Sequence, residues 1–328
     1  MSSPSRARVA TVCLSGQRRP TLGENRAMVM ELADLALFVR PDLLVLPETF
    51  PSCGVSHRQV TEVAEAIDGH TVTVAAERAR RGRCYVICPL FLRRGNDVFN
   101  SAVVLGRDGS LVGTYDKLQP VTSTPDYTIM ESGVTPGAAP RTFDLDFGRI
   151  GVQICFDLCF PDAWAELARQ GARLVVWPSA YNGGFPLRAL AALHHYYVIS
   201  AVGTERAKII DPCGTVLAET QGLTNVVWRD VNLDFAVCHT DFNYAIPDRI
   251  LATYGDRVEV RMHQDEGYFL VEPRDPAITT DHLRQTLGFI DRADYFARHR
   301  AAYACLQHHG TAAPQVPPHG ARSQYSKR

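Results

Sequence analysis

Three reactive side chains in this sequence each stand where an apolar run gives way to a loop. Glu48 ends LLVLPE, Lys117 ends GTYDK and Cys155 ends IGVQIC. In layered α/β folds, strand ends are where side chains distant in sequence converge on one pocket. A cysteine attacks as its thiolate, and a free thiol has a pKa of about 8.5, so a cation or a base must assist it. A carboxylate in a water-poor pocket has the basicity to take the thiol proton, which makes Glu48 the candidate base. Lys117 is the candidate to stabilise the oxyanion formed when sulfur attacks a carbonyl carbon, a contribution on the order of several kcal/mol. The backbone N–H of Phe156 is a second oxyanion donor if Cys155 sits on a tight strand-to-helix turn. Taken singly, each residue has a plainer role. A cysteine at a strand end is most often a small buried hydrophobe. A Glu after Leu-Pro is most often a solvated loop residue, and a Lys after Tyr-Asp a surface cation.

Other residues compete for attention. Cys84 and Cys88, and Cys155 and Cys159, are spaced by three residues. Zinc sites more often use closer pairs at repeated spacing, and both pairs lie in or beside apolar runs, so neither a metal nor another cofactor is expected. His194 and His195 are adjacent on a helical stretch and point in different directions, which suits a structural role for at least one of them. Asp157 fits a supporting or capping role. Trp177, in VVWPSA, is a pocket wall or a core aromatic, and Phe156 and Tyr181 join it as candidates for contact with substrate. Arg188 and Arg206 are either anion-recognising groups or surface cations.

These side chains need a frame. RVATVCL (8–14), LLVL (43–46), CYVICPLFL (84–92), RLVVWPSA (173–180) and NVVWRDVNL (225–233) read as strands, the last being the last clear one. The run at 43–46 is apolar on both faces, as in a strand covered on both sides. Residues 24–39 read as a helix with Met28, Leu32, Leu35 and Val39 on one buried face, and 61–81 as a second helix. Pro161 and Gly171 bracket a third, and 187–197 form a fourth. Two hairpins are expected, around Arg107-Asp108-Gly109-Ser110 and Asp211-Pro212-Cys213-Gly214, where Asp-Gly supplies positive φ angles. Residues 119–140, rich in Thr, Ser, Gly and Pro, form a loop. Alternating strands and helices with antiparallel hairpins point to a layered α/β domain with mixed sheets.

Composition narrows the function. With 34 basic and 35 acidic residues the net charge is -1, which gives no basic excess to attract nucleic acid or an anionic membrane. Nine cysteines, an odd number mostly inside apolar runs, suit reduced buried thiols in the cytoplasm rather than a disulfide framework. No apolar stretch of about 18 residues suggests a membrane span.

Taken together and in order, these segments resemble the nitrilase superfamily of carbon–nitrogen hydrolases, over roughly residues 8–235. The anchors are LLVLPETF around Glu48, YDKLQPV around Lys117, ESGVTPG around Glu131 and GVQICFDLCFPDAW around Cys155, supported by FNSAVVLGRDGSLVGTYDK and KIIDPCGTVLAET. The resemblance implies a Glu48–Lys117–Cys155 triad, with Glu131 orienting the lysine or the substrate. It implies a four-layer α-β-β-α sandwich with two mixed β-sheets, a homodimer or higher homo-oligomer, and a metal-free two-step reaction through a thioester. Cys155-Phe156-Asp157, where true nitrilases usually show Cys-Trp-Glu, favours a small linear amide or N-carbamoyl compound over a nitrile. Cys159 and Asp162 depart from the Arg and Glu frequent after the nucleophile in amidase-like members, and the segment from His195 to Lys208 is shorter than usual. An acyltransferase using the same thioester, and a degenerate binding or scaffold member, are the rival readings. The expected organisation is a hydrolase domain over 1–275, an extension over 276–307 as a possible subunit contact, and a disordered tail over 308–328.

Overall fold

The computed structural model of the chain describes residues 5–222 and 224–315. It divides after Leu233 into two compact units. The expected boundary at 275 therefore falls inside the second unit.

The first unit carries strands β1 (Arg6–Val12), β2 (Leu43–Val45), β3 (Tyr85–Arg94), β4 (Asp97–Leu105), β5 (Leu111–Asp116), β6 (Arg141–Leu145), β7 (Gly148–Val152), β8 (Leu174–Ser179), β9 (Tyr197–Val202), β10 (Lys208–Ile210), β11 (Val216–Glu219) and β12 (Val226–Asn232). Its helices are α1 (Leu22–Leu37), α2 (His70–Gly82), α3 (Pro161–Arg169) and α4 (Gly184–His194). One six-stranded sheet runs β12-β1-β2-β3-β4-β5 and the other β11-β10-β9-β8-β7-β6. Each is mixed: β1, β2 and β3 pair in parallel, as do β7, β8 and β9, and the flanking pairs are antiparallel.

Two apolar clusters explain the layering. Val29, Ala33 and Ala36 of α1 and Val72, Ala75 and Ala79 of α2 pack on Ala10, Leu44 and Val86 of the first sheet. Trp164 and Leu167 of α3 and Leu187 and Ala191 of α4 pack on Val175, Trp177 and Val198 of the second. Each such fully buried Val or Leu contributes roughly 1.5–3 kcal/mol. Between the sheets, the buried Thr11 hydroxyl donates to the Ser200 carbonyl at 2.6 Å. This is the expected α-β-β-α sandwich.

Three local differences have physical causes. The buried face of α1 is Asn25, Val29, Met30, Ala33 and Ala36, whereas Leu35 is exposed. Asn25 breaks the apolar pattern because its side chain is saturated by Arg19, Pro51 and Cys53 backbone groups. The second helix starts only at His70, since Asp68-Gly69 interrupts the 61–81 pattern. In the β4–β5 hairpin only Gly109 takes positive φ (77°) and Asp108 does not; its side chain accepts from Ser110 instead, and the ladder shifts register between Val104 and Leu105. That is a one-positive turn with a bulge rather than a two-positive turn.

The second unit is more regular than its sequence suggests. Strands β13 (Ala236–His239), β14 (Val258–His263) and β15 (Tyr268–Pro273) form a sheet in the order β13-β15-β14, so β12 is not the last strand. Helices α5 (Ile246–Tyr254), α6 (Thr280–Leu287) and α7 (Arg292–His309) accompany it, around a core of Ile250, Phe269, Val271, Leu283 and Phe289. The expected tail begins inside α7, which runs to His309; residues 316–328 lie outside the described residues. Among the described residues no helix is long and apolar enough to cross a membrane.

Candidate active site

Glu48 lies three residues past β2, Lys117 immediately after β5 and Cys155 three residues past β7. The first two come from one sheet and Cys155 from the other. The backbone is strained at or beside each carboxylate and at the thiol: Thr49, Glu131 and Cys155 have φ of 37°, 41° and 45°. Left-handed non-glycine residues cost on the order of 1 kcal/mol and collect at functional sites. At Cys155 the strain is the turn itself, from strand straight into a 3-10 helix over Cys155–Cys159.

Lys117 is almost fully buried and donates to Glu48 Oε1 at 2.9 Å and to Glu131 Oε1 at 2.5 Å. Burial alone pulls an ammonium's pKa down; here the charges of Glu48, Glu131 and Cys155 outweigh it and leave Lys117 above the ordinary lysine value. The loop after Glu131 pins the lysine backbone, since Gly137 N–H donates to the Lys117 carbonyl at 2.8 Å. Only glycine fits there, because a Cβ at 137 would collide with the Asp116 carbonyl.

Cys155 is buried, and its thiol pKa is pushed up to about 12. Burial is the largest cause and the Glu48 charge adds to it; Lys117, the Ala180 backbone and the Ser179 hydroxyl act in the opposite sense. Burial and the Glu48 charge thus favour the neutral thiol over the thiolate. The site already holds two carboxylates against one ammonium, which disfavours a standing thiolate and favours transfer to a base.

The structure thus brings Glu48, Lys117 and Glu131 into direct hydrogen-bond contact, with Cys155 within electrostatic reach of Glu48 and Lys117. Tyr181 belongs with them: burial first, then Cys155, Cys159 and Glu48, raise its phenol pKa. Phe156 is half-buried and meets Phe160 edge-on at 5.6 Å. Trp177 is wholly buried and so is not a wall in contact with solvent-filled space. Its indole N–H donates to the Cys155 carbonyl at 3.1 Å, so it braces the turn at Cys155.

Asn100 and Tyr115 escape the sequence reading. The Asn100 amide donates to Glu48 Oε1 and Glu131 Oε2, both at 2.9 Å. Tyr115 donates to Asp157 at 2.7 Å, and Asp157 also accepts from the Ile154 and Gln119 N–H groups at 2.9 Å. The signal for Asn100 is a lone amide inside the apolar run of β4. Other candidates serve the scaffold. His194 stacks on Tyr196, and His195 contacts the Pro212 carbonyl at 2.9 Å through Nδ1. Arg188 donates to the Gly214 carbonyl and Arg206 pairs with Glu219.

Residues 8–236 match the carbon–nitrogen hydrolase family. The chain is 31% identical over 233 residues to the nitrilase and fragile histidine triad fusion protein NitFhit of Drosophila melanogaster, covering 64% of this chain and 50% of that protein. It therefore spans about half the length of that fusion. It is 28% identical to the omega-amidase NIT2 of Danio rerio, covering 70% of this chain and 90% of the relative. Its fold is similar to that of Saccharomyces cerevisiae Nit3, a member of branch 10 of the nitrilase superfamily, with a TM-score of 0.60, 21% identity and coverage of 76% and 94%. The chain belongs to the carbon–nitrogen hydrolase family.

Proposed function

We propose that the protein hydrolyses a small linear amide or N-carbamoyl compound through a thioester on Cys155. The observation that carries this reading is the buried Lys117 held between Glu48 and Glu131, in electrostatic contact with a thiol on a left-handed turn. Sulfur attacks the carbonyl carbon while Glu48 takes the thiol proton, and the carbonyl π pair moves onto oxygen. Lys117 and the Phe156 N–H stabilise that oxyanion. Collapse breaks the C–N bond, and Glu48 returns the proton to the departing ammonia or amine. Water then attacks the thioester, giving its proton to Glu48, and the thiol leaves as the acid forms. Glu131 orients Lys117, and Phe156 and Tyr181 bound the acyl group. The omega-amidase among the relatives supports an amide rather than a nitrile.

Ammonia release from short amides, ω-amides, N-carbamoyl amino acids and nitriles tests this, with intact-mass detection of an acyl adduct on Cys155. Cys155→Ala abolishes release and Cys155→Ser leaves a trace at most. Undiminished turnover by either variant, or no adduct on any reactive compound, removes the reading.

As an assembly we propose a homodimer. Phe160, just before α3, and Phe185 and Leu193, on α4, are large apolar side chains left exposed in the single chain, and pairing would cover them. A sedimentation coefficient of a monomer at micromolar concentration overturns this.

A further inference from the structure

Asn100 is buried and lies directly across the β4–β5 ladder from Lys117, whose backbone N–H donates to the Asn100 carbonyl at 2.8 Å. Two donor groups therefore leave neighbouring positions for the same pair of carboxylates. Asn100 Nδ2 gives one hydrogen to Glu48 Oε1 and the other to Glu131 Oε2. Lys117 Nζ bridges Glu48 Oε1 and Glu131 Oε1. The four side chains close a ring, and its asymmetry falls on Glu48. Oε1 receives both donors, while the buried Oε2 has no hydrogen-bond partner among the described residues. A buried oxygen left without a donor is costly in a finished structure and marks an atom with work to do. Oε1 is occupied by two donors, so Oε2 is the oxygen of this carboxylate left open to take a proton.

We propose that Asn100 is a positioning residue that fixes the Glu48 carboxylate so that Oε2 handles the proton in both steps. This rests on the reading of Glu48 as the base. Asn100 suits the task because its amide supplies two donors without charge. A second cation would cancel the excess negative charge that a base at Glu48 relies on, and an apolar residue would leave Lys117 alone to hold both glutamates.

Two variants test the idea. Asn100→Leu removes both donors at similar size. Asn100→Asp keeps the shape and regains one donor only when protonated; the charged groups facing it are Glu48, Glu131 and Lys117. With any amide that the wild-type protein hydrolyses, Asn100→Leu lowers kcat at least 30-fold and leaves KM within threefold. Asn100→Asp is equally slow at pH 8, and its activity relative to wild type recovers at least fivefold by pH 5. The proposal fails if Asn100→Leu keeps kcat within threefold, if the loss lies in KM, or if the Asn100→Asp ratio is flat with pH. Failure of both variants to fold, read by circular dichroism, also overturns it by making the residue structural. Absence of amide hydrolysis by the wild type would instead remove the function reading, so the two failures are distinct.

Discussion

The Tyr115 phenol donates to the Asp157 carboxylate at 2.7 Å, and this bond joins the two halves of the site. Lys117 stands two residues after Tyr115, and Cys155 two residues before Asp157. The strand that aims the ammonium is thereby tied to the turn that aims the thiol. Burial pushes the Asp157 pKa up to about 6, against the pull of Tyr115 and of the Ile154 and Gln119 N–H groups. A raised carboxyl contributes stability that is complete below its unfolded pKa and is lost as pH rises through about 6. Tyr115→Phe removes a donor to the charged form, so the Asp157 pKa rises further and the deficit grows above pH 6. The variant should lose about 1.5–3 kcal/mol at pH 8 and less at pH 5, read by urea denaturation at both. An equal loss at the two pH values would show that the bond does not couple to Asp157 ionisation.

Alkylation of Cys155 by iodoacetamide reports the electrostatics of the thiol directly. Glu48 raises the thiol pKa and Lys117 lowers it. Glu48→Gln should therefore move the alkaline rise of alkylation to lower pH while amide turnover collapses. Lys117→Met should move it to higher pH. This opposite pairing separates a base, whose loss stops turnover despite an easier thiolate, from a group that only acidifies the cysteine. Shifts in the same direction for both variants would contradict the arrangement.

Lys117→Met also leaves Glu48 and Glu131 facing one another in a buried space without their shared cation. Removing one partner of such a group costs about 3–5 kcal/mol. The variant should unfold at correspondingly lower urea concentration. Its chemical step should fall by at least about a hundredfold, with KM changed far less. A change confined to KM would mean that the charge acts on ground-state binding.

The contrast between what was legible and what was not follows from periodicity and register. Glu48, Lys117 and Cys155 could be read because each ends an apolar strand, and the sandwich because the strands and hairpins are distinct. Asn100 could not be placed opposite Lys117, because that pairing depends on the bulge between Val104 and Leu105. An unbroken ladder from Leu105 and Leu111 would set Phe99 there instead. The helix after residue 21 was legible as a helix but not in phase, because its buried Asn25 is polar. In the second unit, strands of 4, 6 and 6 residues are too short for alternation to mark them against their polar turns. Trp177 was ambiguous for a different reason: an aromatic at a strand end looks the same in sequence whether its edge or its N–H faces the site.

That ambiguity gives the last prediction. Trp177 and Tyr181 meet edge to face at 5.3 Å, yet one is wholly buried and the other partly exposed beside Cys159. Trp177→Phe keeps an aromatic ring but loses the hydrogen bond to the Cys155 carbonyl and part of the packing against Gly183, where a Cβ would lie 2.8 Å from the indole. It should cost about 1–3 kcal/mol of stability and lower kcat, because the strained turn at Cys155 loses a restraint, while KM stays near its wild-type value. Tyr181→Phe should do the reverse. It deletes only the hydroxyl of a partly exposed ring, leaves stability within about 0.5 kcal/mol, and shifts KM between amides of different acyl length. Steady-state kinetics on two amides, with urea denaturation of each variant, distinguishes the two roles. A KM effect from Trp177→Phe without a loss of stability would return the indole to the pocket wall.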